Sequence, residues 1–110
     1  MRRGCEFEER ALRYLESLGY RILARNYRCR EGEIDIIAQE DDDLVFVEVK
    51  GGGKEDHVYP AERFDQRKLS RIIACAYRFM EERNLDTTFR IDLIVVVGDR
   101  FDHFKNVGFD

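Results

Sequence analysis

Two stretches of the chain, residues 32–38 and residues 44–50, alternate between apolar and charged side chains with the period of two that is typical of β-strands. A short acidic run separates them, and Asp41 and Asp42 predict a turn that joins the strands as a hairpin. In this hairpin the opposed apolar pairs are Ile34 with Val49, Ile36 with Val47 and Ala38 with Val45. A shift by one residue would scatter these side chains over both faces, so the pattern favours this register or one shifted by two.

The other face of the predicted hairpin is charged where a packed sheet is usually apolar. Asp35 would lie opposite Glu48, and Glu33 opposite Lys50. Like charges repel when they face each other across two strands, with Cβ atoms about 4.5–5.5 Å apart. One interpretation is a site for a hard divalent cation such as Mg²⁺, with Lys50 beside it to hold or polarise a nucleophile. The other is an exposed strand face with a Glu33–Lys50 ion pair, and the pattern by itself leaves both open.

The remaining segments predict two helices and three further strands. Apolar residues at helical spacing indicate an amphipathic helix over residues 4–18, which Gly19 ends, and a second helix over residues 61–83. Strands are predicted over residues 20–29, 89–97 and 101–107, with the apolar run 89–97 in the interior of the sheet. Residues 51–60 predict a loop, and their Gly-Gly-Gly-Lys run lacks the spacing of a phosphate-binding P-loop.

Two charged residues lie at the margins of the apolar stripes of these predicted helices. Glu8 stands three and four residues before apolar positions of the first helix, so it could reach a site beneath that helix or turn outward to water. Lys68 lies one turn before Ile72 and could approach a phosphate or remain a solvated helix lysine. His57 is expected in a surface loop, and His103 is expected to be structural.

Composition and charge narrow the class of protein. The length of 110 residues predicts a single domain, residues 1–110. The net charge is −4, but the first 30 residues hold eight arginines against four glutamates. This asymmetry permits a nucleic-acid partner without requiring one. The sequence has no signal-peptide pattern and no run of ~18 apolar residues, so we expect a cytoplasmic protein that does not enter a membrane.

The chain contains three cysteines, Cys5, Cys29 and Cys75. They are odd in number and widely spaced, and no C-x-x-C pair is present. We therefore expect buried free thiols rather than a zinc site or a disulfide framework.

Motifs distributed over most of the chain resemble those of a known family. The strongest are residues 32–38 and 45–50. The others are Glu8, Ala11, Tyr14 and Leu15, then Gly19, Tyr20 and residues 25–28, then Pro60, Ala61, Lys68, Arg90, Ile91, Asp92 and Asn106. On these residues the sequence resembles the YraN-type family of small bacterial proteins. That family is itself similar to archaeal Holliday junction resolvases and other restriction-endonuclease-like PD-(D/E)XK nucleases.

The resemblance implies an α/β fold, with a restriction-endonuclease-like mixed β-sheet of about five strands flanked by two main helices. It implies catalytic roles for Glu8, Asp35, Glu48 and Lys50. Asp35, Glu48 and the Val49 carbonyl would bind Mg²⁺, for which Mn²⁺ could substitute; Lys50 would orient the attacking water, and Glu8 would assist the metal or its water. The expected partners are DNA, including branched structures, and a second copy of the chain in a homodimer. The nucleic-acid contacts would be Arg25, Arg28 and Lys68.

Two positions depart from the family pattern. Phe7 stands where the family usually has Gly before the helix glutamate, and glycines at 51–53 replace the polar and Arg residues that usually follow the lysine. The second departure removes a phosphate contact, which bears on DNA affinity more than on metal chemistry. The expected function is a metal-dependent endonuclease that hydrolyses DNA phosphodiester bonds. The alternatives are a non-catalytic nucleic-acid-binding module with the nuclease fold and an interaction domain with no nucleic-acid role.

Overall fold

The computed structural model describes residues 3–52 and 66–107 of the chain. These form two helices and five strands, which confirms the predicted α/β fold with a mixed five-stranded sheet and two main helices. The elements are α1 (Arg3–Ser17), β1 (Arg21–Cys29), β2 (Gly32–Glu40), β3 (Asp43–Gly52), α2 (Gln66–Glu82), β4 (Phe89–Val97) and β5 (Arg100–Phe104). Most of the predicted glycine-rich loop, His57 and the predicted start of the second helix at residue 61 lie outside the described residues.

The five strands form one sheet in the order β1-β2-β3-β4-β5. Neighbouring strands are antiparallel except β3 and β4, which are parallel over nine residue pairs from Leu44–Phe89 to Gly52–Val97. A parallel pair needs a crossover connection, and α2 lies in the chain between these two strands. The interior position predicted for residues 89–97 is confirmed, because β4 has a partner strand on each side.

The helices cover opposite faces of the sheet and bury two separate clusters of apolar side chains. On the α2 face the sheet contributes Ile34, Ile37, Leu44, Phe46 and Ile91. On the α1 face it contributes Ile36, Ala38, Val45, Val47, Ile94 and Val96. The central strands therefore carry buried side chains on both faces. Over the described residues, neither helix has the length and apolar character to span a membrane.

Both helices end in the same hydrogen-bonded motif. At the end of α1 the Tyr20 amide donates to the Leu15 carbonyl at 3.0 Å, and Gly19, at φ 95°, donates to Glu16 at 2.9 Å. This is the Schellman arrangement, in which a residue with positive φ follows the helix, and it confirms Gly19 as the stop. At the end of α2, Asn84 takes the same role at φ 57°.

The predicted hairpin register is confirmed for two of its three apolar pairs. Ile36 pairs with Val47 and Ala38 with Val45, around the predicted turn, where Asp41 has φ 55°. The third pair, Ile34 with Val49, was wrong, because the β2–β3 ladder ends at Ile36–Val47. Ile34 instead packs on the α2 face, whereas Ile36 packs on the α1 face. The alternation of side chains between the two faces is therefore interrupted at Asp35.

The expectation of free thiols was wrong for two of the cysteines. Cys29 at the end of β1 and Cys75 in the middle of α2 form a disulfide that joins positions 46 residues apart. The two residues lie on the α2 face of the sheet, where sequence spacing does not show that a strand end and a helix turn meet. The disulfide ties α2 to the strand beside β2.

We expect reduction of the Cys29–Cys75 disulfide to lower the free energy of unfolding by about 2–4 kcal/mol, because it frees a long closed loop in the unfolded chain. Urea unfolding with and without dithiothreitol measures this. The Cys5→Ser variant should lose the same amount on reduction, whereas Cys29→Ala/Cys75→Ala should be insensitive to reductant. Equal stability of the wild-type protein in both conditions would contradict the prediction.

Candidate active site

Asp35 lies where the backbone pairing of β2 with β3 ends. Its Oδ2 atom accepts a hydrogen bond from the Val49 amide at 2.8 Å, so the side chain takes the place of a backbone carbonyl. On β1, Asn26 lies between the partners of Ile36 and Ile34, and its φ is positive, at 53°. Burial and the nearby carboxylate of Glu48 raise the pKa of Asp35 to about 8, although the Val49 amide acts in the opposite direction.

Glu8 reaches the same point from α1, as its marginal position in the predicted helix allowed. It is half-buried, and its carboxyl group shares a hydrogen bond with Asp35. Burial, then the charge of Glu33, raises the pKa of Glu8, and Glu48 adds to the effect. Three carboxyl groups from three elements therefore influence one another, with Asp35 in the middle.

Glu48 is buried, at 8% exposure, and two lysines approach it. Its Oε2 atom lies 2.5 Å from Lys68 Nζ on α2 and 3.6 Å from Lys50 Nζ on its own strand. Burial and the neighbouring Lys68 lower the pKa of Lys50. Lys68 is affected by burial in the same direction, but its hydrogen bond to Glu48 leaves its pKa raised. Lys50 is thus the amine of the pair that loses its proton more easily.

The predicted nucleic-acid contacts on β1 are engaged in ion pairs. Arg25 Nη1 lies 2.9 Å from Glu9 Oε1 of α1, and Arg28 Nε lies 3.7 Å from Glu33 Oε2 of β2. Glu33 was expected opposite Lys50, but Lys50 pairs with Glu48 instead. Both arginines remain solvent-exposed on the strand next to the carboxyl cluster.

The residues present fit a hard divalent cation of the Mg²⁺ type. Asp35 and Glu48 supply two carboxyl groups, and burial together with the charge of Glu48 raises the pKa of Asp35 to about 8. Within the part of the chain that is described, no group of three or more His, Cys, Asp or Glu side chains is arranged to hold a metal ion. Mg²⁺ commonly takes one or two carboxylates, with water and substrate phosphate completing its shell. Two carboxylates and a backbone carbonyl are compatible with that pattern.

Phe7 and Gly51 meet beside this cluster. A Cβ atom added to Gly51 would lie 2.7 Å from Cγ of Phe7 and closer still to Cδ2 and Cε2 of the same ring. The ring of Phe7 therefore occupies the space that any side chain at position 51 would need. Phe7 precedes Glu8 and Gly51 follows Lys50, so this contact joins α1 to the end of β3 at the edge of the site.

A second buried polar cluster lies on the α1 face, around Asp92 of β4. Its carboxylate, fully buried, lies 3.0 Å from Arg90 Nε and 2.8 Å from His103 Nε2, and the Tyr14 hydroxyl shares a hydrogen bond of 3.1 Å with His103 Nδ1. Burial acts to raise the pKa of Asp92, but the bonds from His103, Asn106 and Arg90 outweigh it and leave the pKa lowered. Each of these groups has a hydrogen-bond or ion-pair partner within the cluster, which is consistent with the structural role expected for His103. The sequence pointed to this cluster only through two charged residues, Arg90 and Asp92, in an otherwise apolar strand.

The fold and the site together define a small α/β protein with a cluster of carboxyl groups and lysines where a hairpin and two helices meet. Residues 7–96 match the sequence profile of a family described as "Uncharacterised protein family UPF0102". The chain belongs to the UPF0102 family, the YraN-type family expected from its motifs.

Relatives along nearly the whole chain carry the same family description. A UPF0102 protein of Sulfurihydrogenibium sp. (strain YO3AOP1) is 44% identical over 105 residues, which cover 94% of this chain and 91% of the relative. A UPF0102 protein of Aquifex aeolicus is 42% identical over 108 residues, 98% of each chain. A third, from Thermotoga maritima, is 42% identical over 103 residues, 93% of each chain.

Asp35 should make the protein less stable as the pH rises. Its pKa is about 8 in the folded protein against an ordinary 3.8, so the folded state binds more protons between these values. The contribution of this proton to the free energy of unfolding is fully present below about pH 4 and is lost as the pH rises to about 8. Over that range the free energy of unfolding should fall with a slope approaching about 1.4 kcal/mol per pH unit. Urea unfolding in EDTA from pH 5 to pH 9 should show this slope, and Asp35→Asn should remove most of it. The exposed turn variant Asp42→Asn is the control, and an unchanged slope in Asp35→Asn would contradict the assignment.

Phe7 and Gly51 should be energetically coupled. Gly51→Ala in the wild-type background should destabilise the protein by about 1–3 kcal/mol, because the new methyl group overlaps the Phe7 ring. In a Phe7→Ala background the same substitution should cost at least about 1 kcal/mol less, since the space is then open. A double-mutant cycle from chemical unfolding measures the coupling. Additive effects of the two substitutions would show that the ring and the backbone do not compete for this space.

Proposed function

We propose that this protein is a metal-dependent endonuclease of the restriction-endonuclease-like PD-(D/E)XK type, hydrolysing DNA phosphodiester bonds, with branched junctions among its candidate substrates. The observation that carries the proposal is the contact of Asp35 with Glu48 beside Lys50. Two repelling carboxylates beside an amine of lowered pKa are costly in a structural role, and metal-assisted hydrolysis of a phosphodiester needs these groups.

Each residue of the cluster has a role that follows from its position. Asp35 and Glu48, with the Val49 carbonyl, would hold Mg²⁺ or Mn²⁺. When bound, such an ion acidifies water and neutralises charge on the phosphate. Lys50, whose pKa is lowered by burial and Lys68, would orient the attacking water and accept its hydrogen bonds in the neutral form. Glu8 would hold water on the α1 side.

Several features support a DNA partner in this proposal. Arg25 and Arg28 are exposed on β1 beside the cluster, and the positive charge of the chain is concentrated in its first 30 residues. Two copies of the chain, in a homodimer, would place two such sites on one branched DNA, as the resemblance to junction resolvases implies. DNA repair or recombination would be the setting for this activity.

A second candidate function is a nucleic-acid-binding module that keeps the fold without turnover. The short contact of Lys68 with Glu48 favours it, because an ammonium group then occupies a carboxylate that a metal would need. This function predicts salt-dependent DNA binding that survives loss of Asp35 and Glu48.

Incubation of the protein with Mg²⁺ or Mn²⁺ and labelled duplex, flap and four-way DNA tests the first function. We expect cleavage of at least one DNA, abolished by EDTA and slowed at least about 100-fold by Asp35→Ala, Glu48→Ala or Lys50→Ala. Asp42→Ala, which removes an exposed carboxylate from the hairpin turn, should cleave as the wild type does.

Two results would overturn the nuclease proposal. One is the absence of cleavage with every DNA and both metals, and the other is cleavage that persists in Asp35→Ala and Glu48→Ala. Binding of the same DNAs by these two variants, measured in parallel without metal, would then favour the binding module.

A further inference from the structure

A cleft next to the carboxyl cluster lies between α2 and the turn that joins β1 to β2. It is an open depression of about 460 Å³, lined by Glu31, Gly32, Glu33, Arg67, Lys68, Arg71 and Ile72. Lys68 belongs to both places, because its side chain lines the cleft while its Nζ atom contacts Glu48. The cleft is therefore adjacent to the candidate active site, and Lys68 is shared by the two.

The α2 wall of the cleft carries closely spaced positive charge. Arg67, Lys68 and Arg71 are separated by one, three and four residues, so their side chains project from one side of the helix. Arg67 and Arg71 are both exposed, and neither guanidinium group has an ion-pair partner within the described ranges 3–52 and 66–107. Two like charges one turn apart repel unless an anion lies between them.

The acidic residues of the opposite wall do not neutralise these arginines. Glu31 accepts two hydrogen bonds from Arg78, at 2.8 Å and 3.0 Å, and Glu33 pairs with Arg28. Each acidic side chain of the cleft is thus balanced by an arginine from elsewhere. The charge that remains in the cleft is that of Arg67 and Arg71.

Gly32 lines the cleft beside α2. A Cβ atom at this position would lie 3.4 Å from the Cβ atom of Arg71, which is ordinary van der Waals contact, so Gly32 lies directly against α2. A larger residue at position 32 would fill the floor between the two walls. Because Ile72 is the one apolar residue among those that line it, the cleft suits a charged ligand better than an apolar one.

We propose that this cleft binds the phosphate backbone of a DNA strand, with Arg67 and Arg71 as the phosphate-contacting residues, next to the Asp35–Glu48 site. The inference rests on the proposed nuclease function for the identity of the anion. The residues that follow Lys50 are uncharged glycines at 51–53, so the positive charge beside the site comes from Arg67 and Arg71. Guanidinium groups form paired hydrogen bonds to phosphate oxygens, which suits both arginines to this role.

Fluorescence anisotropy with a labelled single strand and its duplex, in EDTA so that no cleavage occurs, tests the proposal. We expect Arg67→Ala/Arg71→Ala to weaken binding at least about tenfold at low salt and to reduce the slope of log affinity against log salt by about 2. Arg67→Lys/Arg71→Lys should retain most of the slope, because the charges remain. The control Arg100→Ala/Lys105→Ala removes two exposed positive charges at β5, the edge of the sheet farthest from β1, and it should bind as the wild type does.

The outcomes separate this inference from the nuclease proposal. Loss of binding in the Arg67/Arg71 variant without cleavage by the wild type supports the cleft and overturns the nuclease. Cleavage by the wild type with unchanged binding in that variant overturns the cleft alone. Equal losses in the variant and in the control would also overturn the cleft, because they would reflect total charge, and a wild-type protein that binds no DNA at low salt would overturn both.

Discussion

The hydrogen bond from the Val49 amide to the Asp35 carboxylate is the contact on which the arrangement of the site depends. Backbone pairing between β2 and β3 stops at Ile36–Val47, and a strand amide that loses its partner must find another acceptor. The Asp35 side chain is that acceptor, so its carboxylate is held between the strands. There it meets Glu48 of β3 and Glu8 of α1, and burial beside these acids raises its pKa to about 8.

The repulsion between these crowded carboxyl groups is offset by charged groups on the surrounding elements. Lys68 of α2 and Lys50 of β3 both approach Glu48, so the crossover helix supplies part of the balancing charge. The Cys29–Cys75 disulfide ties that helix to β1 about two turns after Lys68. The raised pKa of Asp35 keeps a proton on its carboxyl group, which completes the balance of charge. Carboxyl groups crowded in this way are more typical of functional sites than of structural ones.

Phe7 and Gly51 form one structural feature at the edge of the carboxyl cluster. The Phe7 ring fills the space above Gly51, so a side chain after Lys50 and a large residue before Glu8 exclude each other. A polar side chain at position 51 would offer a contact for phosphate. The basic wall of α2 provides positive charge on the other side of the site, where Arg67 and Arg71 carry no such steric conflict.

The sequence by itself determined both helices, all five strands within a few residues at their ends, the hairpin turn and the pairing of Ile36 with Val47 and Ala38 with Val45. These depend on local periodicity, turn residues and helix stops, which neighbouring residues carry. The sequence also predicted that Asp35 and Glu48 lie close together, because the register of a hairpin is set over a short stretch of chain. Only the tertiary structure decided that Ile34 lies on the α2 face, that Cys29 bonds Cys75, that Lys68 contacts Glu48 and that Asp92 joins His103. Each of these contacts joins residues from different elements or depends on a break in the strand pairing, and no periodic pattern in the sequence records such distances.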